Sequence, residues 1–347
     1  MFSFFFKTKE DSKLEYESES QILKSMCILN NKYLLIGKLD GNLLIYEIER
    51  KQKIFENKIS FNSITCLMNY EKDSNYFFAC SKSPEIYLLG LYFINNEFIL
   101  KQINKYVIHQ SCVKRLKSLG NNTFVSCSND SSLVIWDING NILYKLKDQS
   151  HGLENFIIKI SDKTISNLVT LNDKGTLSFY KDVNNKLFLS KVILELDYTN
   201  LYSMCEISGD RLFVGGFSII QIFSIISEQM VNCIKIKEPI SFIFEKEKHF
   251  IAFGFKNGKL EFRDRNKLNI LGEKDVQKLE SKYKFSNLFK NGEIQLFENE
   301  SIISFDFFNE RLICISDEKI RFWNCSKDKK RESYILIKYE IMKIVSV

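Results

Sequence analysis

The chain has 347 residues, enough for two average domains or one large all-β domain. Its 45% hydrophobic and 27% charged residues are globular proportions and exclude a disordered or fibrous chain. The net charge is only +6, from 49 Lys and Arg against 43 Asp and Glu, which argues against the concentrated basic face of a nucleic-acid domain.

The first ten residues form a short aromatic tail carrying Phe2, Phe4, Phe5 and Phe6. The run Met1–Phe6 has no basic flank and is too short for a secretory signal core. These phenylalanines have two readings: docking on a membrane or partner, or folding back on the domain or staying disordered. Residues 13–18, KLEYES, have the character of a strand. From there to the C-terminus the chain is a series of short apolar runs separated by polar turns, with 30 Phe and 15 Tyr against two Pro, a strand-favouring composition.

The runs repeat. In the copy at about 19–57, SMCILNNK and KYLLIGK precede KLDGNLLIYEI, with Asp40 in the tight turn and Tyr46 closing the third strand. The copy at about 60–103 has SKSPEIYLLGL, ending at Leu89. The copy at about 108–147 is the sharpest: NTFVSCS runs into SNDSSLVIWD, with Asp130 in the turn and Trp136 at the closing position. Further copies lie at about 153–195 (NDKGTLSFYKD, Tyr180), 199–237 (GGFSIIQIFSI, Phe223), 238–271 (FKNGKLEFRDR, Arg263) and 298–340 (SDEKIRFWNCS, Asp317 and Trp323). The closing residues Tyr46, Leu89, Trp136, Tyr180, Phe223, Arg263 and Trp323 are separated by 43, 47, 44, 43, 40 and 60 residues. Five of these six intervals lie at or near the roughly 40–45-residue period of a four-stranded propeller blade. The long interval holds an insertion at about 268–293, where Val276, Leu279 and Tyr283 recur at helical spacing and predict a short amphipathic helix. The expected fold is therefore all-β: one seven-bladed β-propeller over residues 11–347, of four-stranded antiparallel blades. Two segments compete to close the ring, residues 13–18 and the apolar run Ser333–Val347.

The chain resembles the WD-repeat β-propeller family over roughly residues 14–340. The resemblance is most specific at His109, Ser126, Ser128, Asp130 and Trp136. In that family a His, a Ser or Thr, an Asp and the Trp form a structural hydrogen-bonded tetrad across one blade. The resemblance thus implies a network of His109, Asp130, Trp136 and one of the two serines. Trp and His need partners when buried, which gives such a network its physical sense. Ile108 stands where the family usually has Gly. In other copies only the turn aspartates survive, as at Asp40 and Asp317. In the fourth copy His151 heads the blade, but Lys174 holds the turn position and Asp173 is one residue off.

Catalytic signatures are lacking. There is no phosphate loop and no Gly-x-Ser-x-Gly elbow. The three His are scattered, and the nine Cys include no Cys-x-x-Cys pair. The inner-strand segments SMCI and SITCLM read as apolar. No catalytic residue, metal or cofactor is expected, and the thiols suit a reducing compartment, the cytoplasm rather than the nucleus. No apolar stretch approaches the roughly 18 residues of a membrane span. Resemblance to WD-repeat proteins implies a non-catalytic scaffold or adaptor that binds proteins or peptides through face loops and rim. Tyr106, Lys114, Arg115, Tyr202 and Arg211 are its candidate partner-binding residues. No small-molecule substrate is evident, and nucleic-acid or membrane binding is not expected. The alternatives are a phosphoinositide- or nucleic-acid-binding propeller and a propeller enzyme with a site at the central channel. The lipid-binding Phe-Arg-Arg-Gly motif is broken at Asp264, and Asn139 stands where cullin adaptors carry Arg.

Overall fold

A computed structural model of the chain describes residues 15–17, 23–71, 74–147, 151–161, 164–183, 186–193, 203–207, 210–246, 250–264, 268, 293–295, 301–308, 311–316 and 319–324. The aromatic tail, the helix expected around Val276–Tyr283, Tyr202, Asp317 and the run Ser333–Val347 lie outside the described residues. No helix among the described residues is long and apolar enough to cross a membrane.

The strands form a β-propeller of four-stranded antiparallel blades. The first blade contains β2 (Leu23–Leu29), β3 (Tyr33–Lys38), β4 (Asn42–Glu47) and β5 (Gln52–Lys58), after a short strand β1 (Glu15–Glu17). The second contains β6 (Ile64–Asn69), β7 (Tyr76–Ser81), β8 (Glu85–Ile94) and β9 (Glu97–Val107). The third contains β10 (Val113–Gly120), β11 (Thr123–Ser128), β12 (Ser132–Asp137) and β13 (Ile142–Lys147). The fourth contains β14 (Leu153–Ser161), β15 (Thr164–Asn172), β16 (Leu177–Val183) and β17 (Lys186–Ile193). The fifth contains β18 (Ser203–Ile207), β19 (Arg211–Gly215), β20 (Ile219–Ser224) and β21 (Met230–Lys235). The sixth contains β22 (Ile240–Lys246), β23 (Phe250–Phe255), β24 (Lys259–Asp264) and β25 (Glu293–Gln295).

Six blades, rather than the seven expected, are thus contiguous four-strand copies. The last copy supplies only β26 (Ile302–Phe308), β27 (Arg311–Ser316) and β28 (Lys319–Asn324), and its sheet takes β1 as the fourth strand. In that composite sheet Glu15, Tyr16 and Glu17 pair with Arg321, Ile320 and Lys319. The first strands pack against one another in the order β2, β6, β10, β14, β18, β22, β26 and back to β2. They surround the axis, and the later strands of each blade run outward to the rim.

The repeated closing residue has a structural meaning. Tyr46, Leu89, Trp136, Tyr180 and Phe223 each follow directly on an irregularity in the pairing between third and fourth strands. All five side chains are buried. A bulge at this point adds local right-handed twist to the blade. The innermost pairs carry a second regular bulge, which skips Lys24, Thr65, Lys114, Glu154, Ser241 and Ile303.

The core lies between blades. Gly37, Gly215 and Gly254 sit at the ends of second strands, facing the first isoleucine of the next blade. A Cβ on Gly37 would stand 2.5 Å from Ile64, one on Gly215 2.9 Å from Ile240, and one on Gly254 3.0 Å from Ile302. Cys80 and Cys127 hold the same pairing position in blades two and three, as small apolar groups buried in the inter-blade core. Polar side chains also stitch neighbouring first strands. Ser25 Oγ donates to the Ile64 carbonyl at 3.1 Å, Thr65 Oγ1 to Val113 at 2.6 Å, and Asn155 Nδ2 to Met204 at 3.4 Å.

Candidate functional site

The polar network of the third blade begins with the turn Asn129–Ser131. Asp130 Oδ1 accepts the backbone N–H of Ser132 at 2.9 Å, an Asx turn that fixes the corner between β11 and β12. Ser131 adopts φ +64, the left-handed conformation that glycine usually takes. This holds the carboxylate under His109, which ends the connection into β10. His109 Nδ1 lies 3.2 Å from Asp130 Oδ2, and Nε2 lies 2.7 Å from Ser126 Oγ on β11. Trp136 Nε1, on β12, donates to the same Ser126 oxygen at 3.1 Å. One direction of donation satisfies every group: Trp136 N–H to Ser126, Ser126 O–H to His109 Nε2, and His109 Nδ1–H to Asp130.

Ser126 is therefore the serine of the network. Ser128 is buried beside it but donates to the Ser111 carbonyl and caps the Asp130 amide, both at 3.1 Å. Ser132 is a member that sequence reading missed. Its hydroxyl donates to Asp130 Oδ1 at 2.6 Å and its oxygen lies 3.0 Å from His109 Nδ1. The Asp-x-Ser spacing of an Asx turn was the available signal. Ile108, in the usual Gly position, packs in the core with Trp136.

Burial works against the Asp130 carboxylate, but hydrogen bonds from His109, Ser132 and the Gln110 amide outweigh it and hold its pKa well below the usual range. Ser–His–Asp connectivity of this kind also occurs in hydrolases. Here Ser126 is fully buried, His109 is 2% exposed, and the serine oxygen already receives the indole N–H. A substrate carbonyl could not approach this serine without dismantling the blade.

The other turns keep only part of this arrangement. Asp40 caps Asn42 N at 3.0 Å beside Gly41 at φ +85. The buried Lys38 ammonium reaches Glu56 at 2.8 Å and lies 3.9 Å from Asp40. In the fourth blade neither Lys174 nor Asp173 caps the turn. Asn172 does so, accepting from the Lys174 and Thr176 amides at 3.0 and 2.8 Å.

The candidate partner-binding residues are dispersed. Tyr106 is not a surface anchor: it is 5% exposed, its ring centroid lies 4.9 Å from that of Trp136, and its hydroxyl donates to Ile138 O. Alternation along β9 turns this side chain inward. Lys114 pairs with Glu154 of the next blade at 2.6 Å, so it joins two blades. Arg211 is exposed at the start of β19 and takes part in contacts within the fold. Arg115 is exposed on β10 and lines a cavity of about 270 Å³ among the first strands. Lys24 and Lys256 line the same cavity. The inner strands are thus less apolar at the axis than their sequences suggested.

Among the described residues, no group of three or more His, Cys, Asp or Glu is arranged to hold a metal ion. Large apolar side chains stand exposed at the rim. Phe188, Leu189 and Val192 on β17 are 53%, 54% and 42% exposed, and Met230 and Val231 on β21 are 55% and 54% exposed. β17 touches the turn that precedes β21: Ser190 Oγ donates to Glu228 Oε1 and Lys191 Nζ to Glu228 O, each at 2.6 Å.

Compared with protein-family models and with curated proteins, the chain matches none.

Proposed function

We propose that the chain is a non-catalytic interaction platform of WD-repeat type: a seven-bladed ring, closed by β1 in the last blade, that binds protein partners at its rim. The WD-repeat assignment is supported by the hydrogen-bonded chain from Trp136 through Ser126 and His109 to Asp130. Seven blades are supported by the cyclic contact of the first strands and by the pairing of β1 with β28. The observation that carries the functional reading is the exposed apolar surface of β17 and β21. Large apolar side chains grouped on an exposed rim are costly in water and mark contact sites when bordered by polar groups. Lys181, Lys191 and Glu228 supply such a border here.

Affinity purification of the tagged chain, with mass spectrometry of what co-purifies, tests this reading. The double variant Phe188→Glu, Met230→Glu adds charge at exposed positions, so it should leave thermal unfolding within a few degrees of the parent. It is expected to lose a stoichiometric partner that the parent retains. Recovery of the same partner set by both proteins would remove this rim from the interface.

A further inference from the structure

The axial cavity differs from the rim in chemistry. Its wall is built by first strands β2, β6, β10, β22 and β26, together with Lys256 after β23 and Ser301 before β26. Three lining residues are cationic, Lys24, Arg115 and Lys256, and no Asp or Glu lines it. Lys24 is the residue skipped by the inner bulge of the first blade, and Arg115 is the first paired residue after the inner bulge of the third. These cations come from three separate blades, so no local charge run in the sequence reveals them.

Several lining hydroxyls are already occupied. Ser25, Thr65 and Ser241 donate to the carbonyls of Ile64, Val113 and Gly254. Recognition at this wall therefore falls to the guanidinium and the two ammonium groups. Lys24 and Lys256 also make contacts within the fold. The field of Arg115 is felt by its surroundings. The buried Cys66 thiol on the same wall is held below its ordinary pKa, first by its hydrogen bond with Cys80 and, against burial, by the charge of Arg115. A concave wall of one sign, backed by low-dielectric protein, focuses potential on its mouth and concentrates counter-ions there.

We infer that the axial cavity is a binding site for a compact phosphate-rich anion, held by Arg115, Lys24 and Lys256. Charge-assisted hydrogen bonds from a planar guanidinium suit phosphate oxygens, and lysines add point charge. The volume, about 270 Å³, lies just under the roughly 300–1,000 Å³ of small-molecule sites. It suits a few phosphate groups and not a nucleic-acid strand. This site goes beyond the rim interaction and does not depend on it.

Calorimetric titration of the full chain with inorganic tripolyphosphate tests the inference. Binding is expected, and it should weaken as salt rises from about 50 to about 200 mM, as ion release requires. Arg115→Gln should weaken it by about tenfold or more, and Lys24→Gln should weaken it independently. Lys101→Gln, an exposed cation on outer strand β9, should change it by less than about twofold. Arg115 is exposed, so its variant should keep the parent unfolding midpoint, and Lys24→Gln provides a second route if it does not. A doubly phosphorylated serine peptide forms the other arm. Tighter binding of the peptide than of tripolyphosphate, with the same variant dependence, assigns the phosphate to a partner chain instead of a free molecule. Absence of heat with both probes at about 1 mM would overturn the site. So would equal weakening by Arg115→Gln and Lys101→Gln, the mark of diffuse attraction to a basic protein. Neither result touches the rim, whose partners are read by co-purification.

Discussion

Asp130 connects a turn, a histidine and a serine, and its titration is where the third blade responds to pH. Its folded-state pKa is depressed by hydrogen bonds that exceed the effect of burial. A carboxylate of this kind contributes stability above its unfolded pKa of about 3.9 and loses it as pH falls toward the folded value. The wild-type urea midpoint should therefore fall between pH 5 and pH 3 by more than that of Asp130→Asn. At pH 5 the variant should be the less stable by about 1–3 kcal/mol, since a charge-assisted hydrogen bond to His109 is lost. Parallel midpoints for the two proteins across that range would separate Asp130 from the network's energetics. Cys80 and Cys127 make a different point at the same scale. Both thiols are pushed above their ordinary pKa. For Cys80 the hydrogen bond with Cys66 comes first and burial second, and for Cys127 burial leads. They are packing groups and poor nucleophiles.

Three blades present a glycine near the end of the second strand to an isoleucine of the next blade: Gly37 to Ile64, Gly215 to Ile240 and Gly254 to Ile302. Gly37 shows the demand most sharply, because a Cβ there would collide with Ser25 Oγ and stand 2.5 Å from Ile64. The first atoms belong to a short side chain and a branched one, both held by their own strands. Gly37→Val should therefore separate blades one and two and cost about 1–3 kcal/mol, as overpacking does. Thermal unfolding checks this, and Ile64→Ala in the same background should recover part of the loss by making room. Independent, additive losses from the two substitutions would show that the contact does not couple the blades. The same junction explains Ser25, Thr65 and Asn155, whose side chains satisfy carbonyls of the following blade.

Each blade is a separate sheet with two edges, a first strand at the axis and an outer strand at the rim. In the composite sheet that outer strand is β1, only three residues long. Removing residues 1–17 would leave β28 as an edge among the described strands and undo its pairing with β1. The truncated protein should unfold several degrees lower and associate more readily than the parent, as open edges do. Calorimetry and light scattering measure the two effects. An unchanged midpoint in a monodisperse protein would mean that β1 does not close the ring. Lys114 and Glu154 add an ion pair between two blades, but both are partly exposed and contribute little to closure.

The sequence by itself determined the period and the strand class, and its family resemblance pointed to His109, Asp130 and Trp136 in the third blade. These are properties of local pattern: alternation sets which side chains turn inward, and turn residues mark corners at a regular interval. Tertiary structure decided the rest, because it depends on residues that meet only after the ring forms. Ser126 and Ser128 are equivalent in sequence, and only the approach of Trp136 and His109 separates them. Tyr106 resembled a surface aromatic until β9 turned it onto the Trp136 ring. Asn172, not Asp173 or Lys174, caps the fourth turn because the strand register sets which side chain reaches the amides. KLEYES and the C-terminal run had equal claims as closing strands, and the described pairing goes to β1. The cations of the axial cavity lie far apart along the chain. Cyclic packing of the first strands brings them to one wall, and charge patterning along the sequence carries no trace of their proximity.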